Sequence, residues 1–544
     1  MMWKAVASKI MKGSWVGALL VLTLAGSAAY IAAQQSAPAG KAAAPSSKAE
    51  TQKKAPNTGR ADHLNPTQAA PELWWPLPAS AKQYGTIDGR HVKTYVEELA
   101  AIARKSRDSG HQYWGRIAGM DSADDTQAWM EAKFKAAGLD THLDTYELTP
   151  QQIPKSWDVT VAGGGQSIKL TSAWPAPLGC CNQFQAETPA SGVDLEAKWV
   201  GMGLDSDFIR AGDVRGKAVF IYAFPAQGGF SQSSIYMGGA KRAVDKGAAA
   251  LVVVMGMPGN ASQVLPMVGI RLPAGSKPIP LFSVGNKDGM AVEALTSSLL
   301  ASGKAPTVHM RLIVDTVTGR KLSNTVGVLP GRTDEYEIVT THSDGFFEGA
   351  NDNAAGTAAL VALAEYFAKI PKQQRRRTMY FIGTHSHHGG SLGDEMIHDK
   401  MQGILTKTAI IINPEHVAVM QPYDHRNNND KLYRSNALGA SWFGVNGSDR
   451  LAKLVVDDLA LFGVPTETDP FNVPGTLGHY QFEGPSLFID NKATYYHAST
   501  DTVDVVPAAG LEGATRALAK ILDDVNQVEI KDLRPAEQPK AAQR

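Results

Sequence analysis

From Asn324 onward, short apolar runs alternate with segments of helical periodicity, and that alternation permits few folds. Residues 338–341, 378–383, 408–412 and 486–489 read as strands. Between the first two, residues 354–369 read as a helix with Leu360, Leu363, Ala364 and Phe367 on one side. Strands that are apolar along nearly their whole length need cover on both faces. The pattern therefore predicts an α/β fold with a mostly parallel central sheet covered by helices. Upstream, Tyr95, Leu99, Ile102 and Ala103 share one face of a predicted helix. A loop from Gly115 to Gly119, a second helix over 126–137 and a strand over 140–148 follow. Gly138 is placed to stop the second helix.

In sheets of this kind ligands bind beyond the carboxyl ends of the strands. Polar clusters stand at those places in this chain. They are Thr341-His342-Ser343-Asp344-Gly345, Asn351-Asp352-Asn353, His385-Ser386-His387-His388, Asn413-Pro414-Glu415-His416 and Tyr496-His497-Ala498-Ser499-Thr500-Asp501-Thr502. One histidine at a strand end is ordinarily a structural hydrogen-bonding residue. Imidazoles and carboxylates recurring at successive strand ends are the donor set that a divalent cation of the zinc type requires.

These clusters, in this order and spacing, resemble the aminopeptidase Y/S-type metallopeptidases of family M28 over residues 95–504, apart from an internal segment. The resemblance implies a zinc-exopeptidase-like (phosphorylase/hydrolase-like) fold and one or two zinc ions. Carried over by position, it implies that His342, Asp352 and Glu415 hold one ion and that Asp352, His388 and His497 hold the other. Asp344 would support the site, and His479 and Tyr480 fall in a loop that lines the substrate. The chain departs from the family at His387-His388, where a Glu-Glu pair is usual, and at Glu415, where Asp is usual. His388 would then be a nitrogen ligand and His387 the proton acceptor, since an imidazole titrates near neutral pH. His398, His416 and His425 match none of these motifs and read as structural or supporting histidines.

The internal segment has its own texture. Asp213-Val214-Arg215-Gly216-Lys217 leads into a strand over 218–222; a helix over 240–246 ends at Gly247, and apolar strands follow at 249–254 and 279–284. This order is similar to the protease-associated (PA) domain, a small α/β module inserted in some exopeptidases. The expected organisation is an N-terminal targeting segment at 1–33 and a linker at 34–71. The first part of the catalytic domain follows at 72–192, the insert at 193–300, the metal-binding part at 301–530 and a tail at 531–544.

Lys+Arg and Asp+Glu both number 53, so the chain offers no basic excess for nucleic acid. Lys4, Lys9 and Lys12 precede an uncharged run over 14–33, the layout of an export signal or of an uncleaved anchor. The expectation is a periplasmic or secreted protein that meets a membrane only through that segment. Cys180 and Cys181 are adjacent, too close for an unstrained bridge, and read as two unpaired thiols. The expected activity is hydrolysis of a peptide or small amide bond, as an aminopeptidase. Two alternatives remain at this point: a metal hydrolase of N-acyl or aryl amides, and a binding protein that keeps a peptidase-like fold.

Overall fold

The structure is a computed structural model that describes residues 73–176, 186–223, 234–264, 277–425, 428–466, 475–477, 480–482, 484–491 and 495–535. Residues 1–33, Cys180, Cys181 and His479 lie outside the described residues, as do the whole of the linker and most of the C-terminal tail.

A seven-stranded sheet carries the strand-end clusters. Its order is Trp442–Asn446, Ser486–Asp490, Thr408–Pro414, Tyr336–His342, Thr378–Thr384, Lys321–Leu329 and Asp140–Glu147. The four strands from Ser486–Asp490 to Thr378–Thr384 run parallel. The remaining pairings, at both edges, are antiparallel. The parallel character predicted from the apolar runs thus belongs to the centre of the sheet.

Side-chain alternation explains why these runs are apolar throughout. Val339, Ile410 and Ile412 point into one core, packed by the helices Gly89–Asp108, Gly356–Ala368 and Ala508–Val525. Their neighbours Ile338 and Ile411 point into the core on the other face, against Ile397, Met401 and Leu405. With both faces covered, neither set of alternate positions tolerates polar residues. The edge strand Asp140–Glu147 is mostly exposed, and its charged residues discourage pairing with another chain. Helix ends follow local chemistry. The Asp88 side chain accepts from Arg90 N at the start of Gly89–Asp108, and Gly138 closes Asp121–Ala137 at φ 85°.

A second sheet of eight strands has the order Gln166–Lys169, Gln151–Gly163, Thr307–Val317, Val193–Gly201, Ala218–Ala223, Ala250–Met255, Leu281–Gly285 and Trp174–Pro175. This sheet therefore draws on more of the chain than residues 193–300. Strands at 151–175 and 307–317, assigned above to the catalytic domain, belong to this second sheet. Thr307–Val317 pairs antiparallel with Gln151–Gly163 from one end to the other, and the other edge of each strand is taken by a neighbour in the second sheet. The strand Asp140–Glu147, which precedes the second sheet in sequence, pairs in the first sheet with Lys321–Leu329, which follows it.

Candidate metal centre

His342 ends a central parallel strand, and its ring orientation is fixed from behind. Its Nδ1 lies 3.1 Å from the Asp344 carbonyl oxygen and donates to it. Nε2 then faces Asp352 Oδ1 at 3.5 Å and Glu415 Oε1 at 3.9 Å. Asp344 repeats this bracing for the histidine pair. Its carboxylate accepts from His387 N at 3.2 Å and His388 N at 2.9 Å, and lies 3.1 Å from His388 Nδ1.

Asp352 sits at the middle of the cluster and is buried. Its segment is placed by backbone capture. Asp501 accepts from Asn351 N at 2.7 Å and Asp352 N at 3.0 Å, while Asn353 Nδ2 donates to Thr341 Oγ1 and to the His342 carbonyl. Gly349 enters the segment at φ 52°, and a Cβ there would lie 2.6 Å from the Asp352 carbonyl oxygen, so only glycine fits. The fully buried Arg116 donates to the carbonyls of Ser343, Glu348 and Gly349 and ties the two loops together.

Four imidazole nitrogens approach the Asp352 carboxylate. Oδ1 faces His342 Nε2 at 3.5 Å and His416 Nε2 at 3.0 Å. Oδ2 faces His388 Nε2 at 3.8 Å and His497 Nε2 at 3.0 Å. Neither oxygen makes a hydrogen bond among the described residues. A buried carboxylate is normally hydrogen-bonded, and one surrounded instead by nitrogen donors is the arrangement of a bridging metal ligand. The donor set therefore fits a zinc-type cation on each side of Asp352. His342 with His387 and Glu415, and His342 with Asp352 and His388, each bring candidate donor atoms within 4.8 Å of one another.

The electrostatics follow from burial and crowding. Burial alone would raise the Asp352 carboxyl, but the charges of His416 and His388 hold it well below the usual range. Burial pushes His497 down to about 4. At His387 burial also disfavours the charged ring, yet the nearby carboxylates of Asp394, Glu415 and Asp344 raise it to about 9. Its ring stacks on His342 with centroids 4.2 Å apart, and its Nδ1 lies 3.9 Å from Asp394 Oδ2.

All seven residues that the sequence assigns to catalysis or metal binding, His342, Asp344, Asp352, His387, His388, Glu415 and His497, converge here. Tyr480 is described only through its backbone, in the short strand Tyr480–Phe482. His385 is buried with its Nδ1 accepting from Ser386 N, and the half-buried His398 contacts Asp399 and Gln402. His416 differs from its sequence reading. It faces Asp352 directly and is itself held by Asp490, with 2.6 Å between His416 Nδ1 and Asp490 Oδ1. It follows Glu415, and alternation along an extended strand would send the two side chains to opposite faces. His416 instead turns the chain at φ 49°. Arg116, Asp490 and Asp501 also escaped sequence reasoning.

The second sheet reaches the centre. Val264 N donates to the His497 carbonyl at 2.8 Å, Ser499 N to the Ser262 carbonyl at 2.8 Å, and Gln263 Nε2 to the Tyr496 carbonyl at 2.7 Å. A cleft opens beside His388, lined by Tyr113, Arg116, Gln151, Ile153 and Phe346.

Residues 324–522 match the sequence pattern of peptidase family M28. Aminopeptidase YwaD of Bacillus subtilis is 23% identical over 407 residues, spanning 73% of this chain and 78% of the relative. Among solved structures, a peptidase M28 precursor from Shewanella amazonensis superposes with a TM-score of 0.64 at 18% identity, covering 88% of this chain and all of that one. A zinc aminopeptidase from Bacillus subtilis superposes with a TM-score of 0.56 at 17% identity, covering 85% and 99%. With the pattern match spanning the strands and loops that build the centre, the chain carries a peptidase family M28 domain.

Proposed function

We propose that the protein is an exported zinc-dependent aminopeptidase in which His387 and His388 stand where relatives use two glutamates, and in which the eight-stranded segment is a PA-type insert. The observation that carries this reading is the Asp352 carboxylate, buried without a hydrogen bond and ringed by imidazole nitrogens. The likeness to the zinc aminopeptidase of Bacillus subtilis supports the choice of metal and of reaction.

His342, Asp352, His388, Glu415 and His497 would hold the zinc. Zinc, when bound, supplies Lewis acidity that polarises an amide carbonyl and brings the pKa of water towards about 7. The side chains do the rest. Asp344 orients His388 through Nδ1 and His342 through its carbonyl, leaving both Nε2 atoms turned inward. With Nδ1 of His387 turned to Asp394, its Nε2, in the fraction of the protein that holds the ring neutral, takes up a proton as the amide carbon is attacked and returns it to the departing amine nitrogen. Asp394 stabilises the charged ring between those transfers. The aromatic side chains of Tyr113 and Phe346 give the adjoining cleft an apolar wall.

The test is elemental analysis of the purified protein together with hydrolysis of aminoacyl and N-acyl aryl amides. Zinc is expected to copurify, with aminoacyl amides cleaved, the activity lost to a chelator and restored by zinc. Cleavage of N-acyl amides alone would replace the aminopeptidase reading with the wider amidohydrolase one. A protein that takes up no metal and cleaves neither would leave a binding protein. Fractionation of tagged protein is expected to place it outside the cytoplasm; a soluble cytoplasmic pool would remove the export proposal.

A further inference from the structure

We propose that His416 is an additional metal ligand, so that each oxygen of Asp352 shares its cation with two imidazoles: His342 and His416 beside Oδ1, His388 and His497 beside Oδ2. The inference rests on the metal-hydrolase reading above.

The two sides of Asp352 are matched. His416 Nε2 lies 3.0 Å from Oδ1, as His497 Nε2 lies 3.0 Å from Oδ2. The first pair is at hydrogen-bond distance but makes no hydrogen bond. Nε2 and Oδ1 are both buried and both without a hydrogen-bond partner among the described residues. Two electron-pair donors aimed at one space are arranged to share a cation.

The ring is also prepared from behind. Its Nδ1 donates to Asp490 Oδ1 at 2.6 Å, so the neutral ring carries its lone pair on Nε2. A carboxylate or carbonyl at the far ring nitrogen is the usual partner of a metal-binding histidine. His342 has this partner in the Asp344 carbonyl, His388 in the Asp344 carboxylate and His416 in Asp490. Asp490 ends the parallel strand beside the one that leads to Glu415, and it is buried. The His416 backbone is spent on the same geometry: φ is 49°, left-handed for a residue with a Cβ, and its N–H donates to Asn353 Oδ1 at 3.1 Å.

The chemical consequence concerns the choice of metal. Four imidazoles and the two carboxylates of Asp352 and Glu415 make a nitrogen-rich set. Imidazole suits zinc, copper and nickel, whereas carboxylate and water suit magnesium and manganese. The centre should reject magnesium and manganese and take zinc or cobalt.

The deciding measurement is a crystal structure of the zinc-loaded full-length protein with an anomalous difference map at the zinc edge. It is expected to put a metal peak about 2.0–2.1 Å from His416 Nε2, the ordinary zinc–imidazole distance. Peaks that all lie beyond 3 Å from that atom overturn the inference. In solution, His416→Met and Asp490→Asn are compared with the parent by zinc titration and by the visible spectrum of the cobalt-loaded protein, with circular dichroism as the check on folding. His416→Met is expected to lose one metal equivalent or at least tenfold in affinity and to change the cobalt spectrum. Asp490→Asn should weaken binding by about 10- to 100-fold. A parent that binds zinc, with folded variants that match it in stoichiometry, affinity and spectrum, defeats the role of His416 alone. A parent that binds no zinc defeats the metal-hydrolase reading as well.

Discussion

His387 and His388 are neighbours in sequence and do different things in space. His388 turns Nε2 towards Asp352 and Nδ1 to Asp344, whereas His387 lies flat on His342 with Asp394 at its edge. Their substitutions should separate accordingly. His388→Ala is expected to remove or weaken one metal, measured by elemental analysis. His387→Ala should keep the metal and lower turnover by about 100- to 10,000-fold, the usual range for a lost general base. His387→Glu should stay active and move the acid limb of the pH profile downwards, because a carboxylate titrates below an imidazole. Two alanine variants with full metal and full activity would end both assignments. At this scale the strand-end clusters were legible because metal chemistry restricts which residue types can serve. His416 was not legible: its orientation depends on a left-handed φ that alternation cannot anticipate. Arg116, Asp490 and Asp501 were missed for another reason. They act through backbone groups or through a neighbouring ring, and those contacts leave no spacing in the sequence.

Elements were easier to read than their allegiance. The strands of the parallel core and the helix Gly356–Ala368 fall within a few residues of expectation, because burial on both faces demands unbroken apolar runs. Gln151–Gly163 shows the limit. Its alternation marks a half-buried strand, but nothing local says which sheet receives it; its long pairing with Thr307–Val317 crosses the whole insert. Within the core strand Tyr336–His342, Glu337 is an exception to the apolar rule. Burial raises its carboxyl to about 8 against the opposing pull of Arg377. A raised carboxyl pKa means the folded chain binds more protons than the unfolded one between about 4.5 and 8, so this residue costs increasing stability as pH rises through that window. Glu337→Gln should therefore gain in melting temperature relative to the parent between pH 5 and pH 8. A constant difference across that range would refute the assignment.

Across the whole molecule, the two sheets meet at the His497 loop. Gln263 and Val264 belong to the second sheet's connections, and they hold the carbonyls of Tyr496 and His497 from outside. Gln263→Ala leaves the imidazoles untouched but frees one of these tethers. It is expected to weaken zinc binding by several-fold, read by competition with a chelator, while the parent's circular dichroism is retained. Unchanged zinc affinity would mean that the loop is held without this contact.

That grip bears on whether the M28 domain is a separable module. The ends that flank the insert, Asp140–Glu147 and Lys321–Leu329, pair side by side, so the chain could be rejoined there with little disturbance to the first sheet. A protein shortened in that way would keep every side chain that faces Asp352, yet His497 would stand on a loop deprived of its outer support. Histidine 497 thus has two owners, one supplying its imidazole and the other its position, and excision of the insert would be paid for at the metal rather than in the sheet.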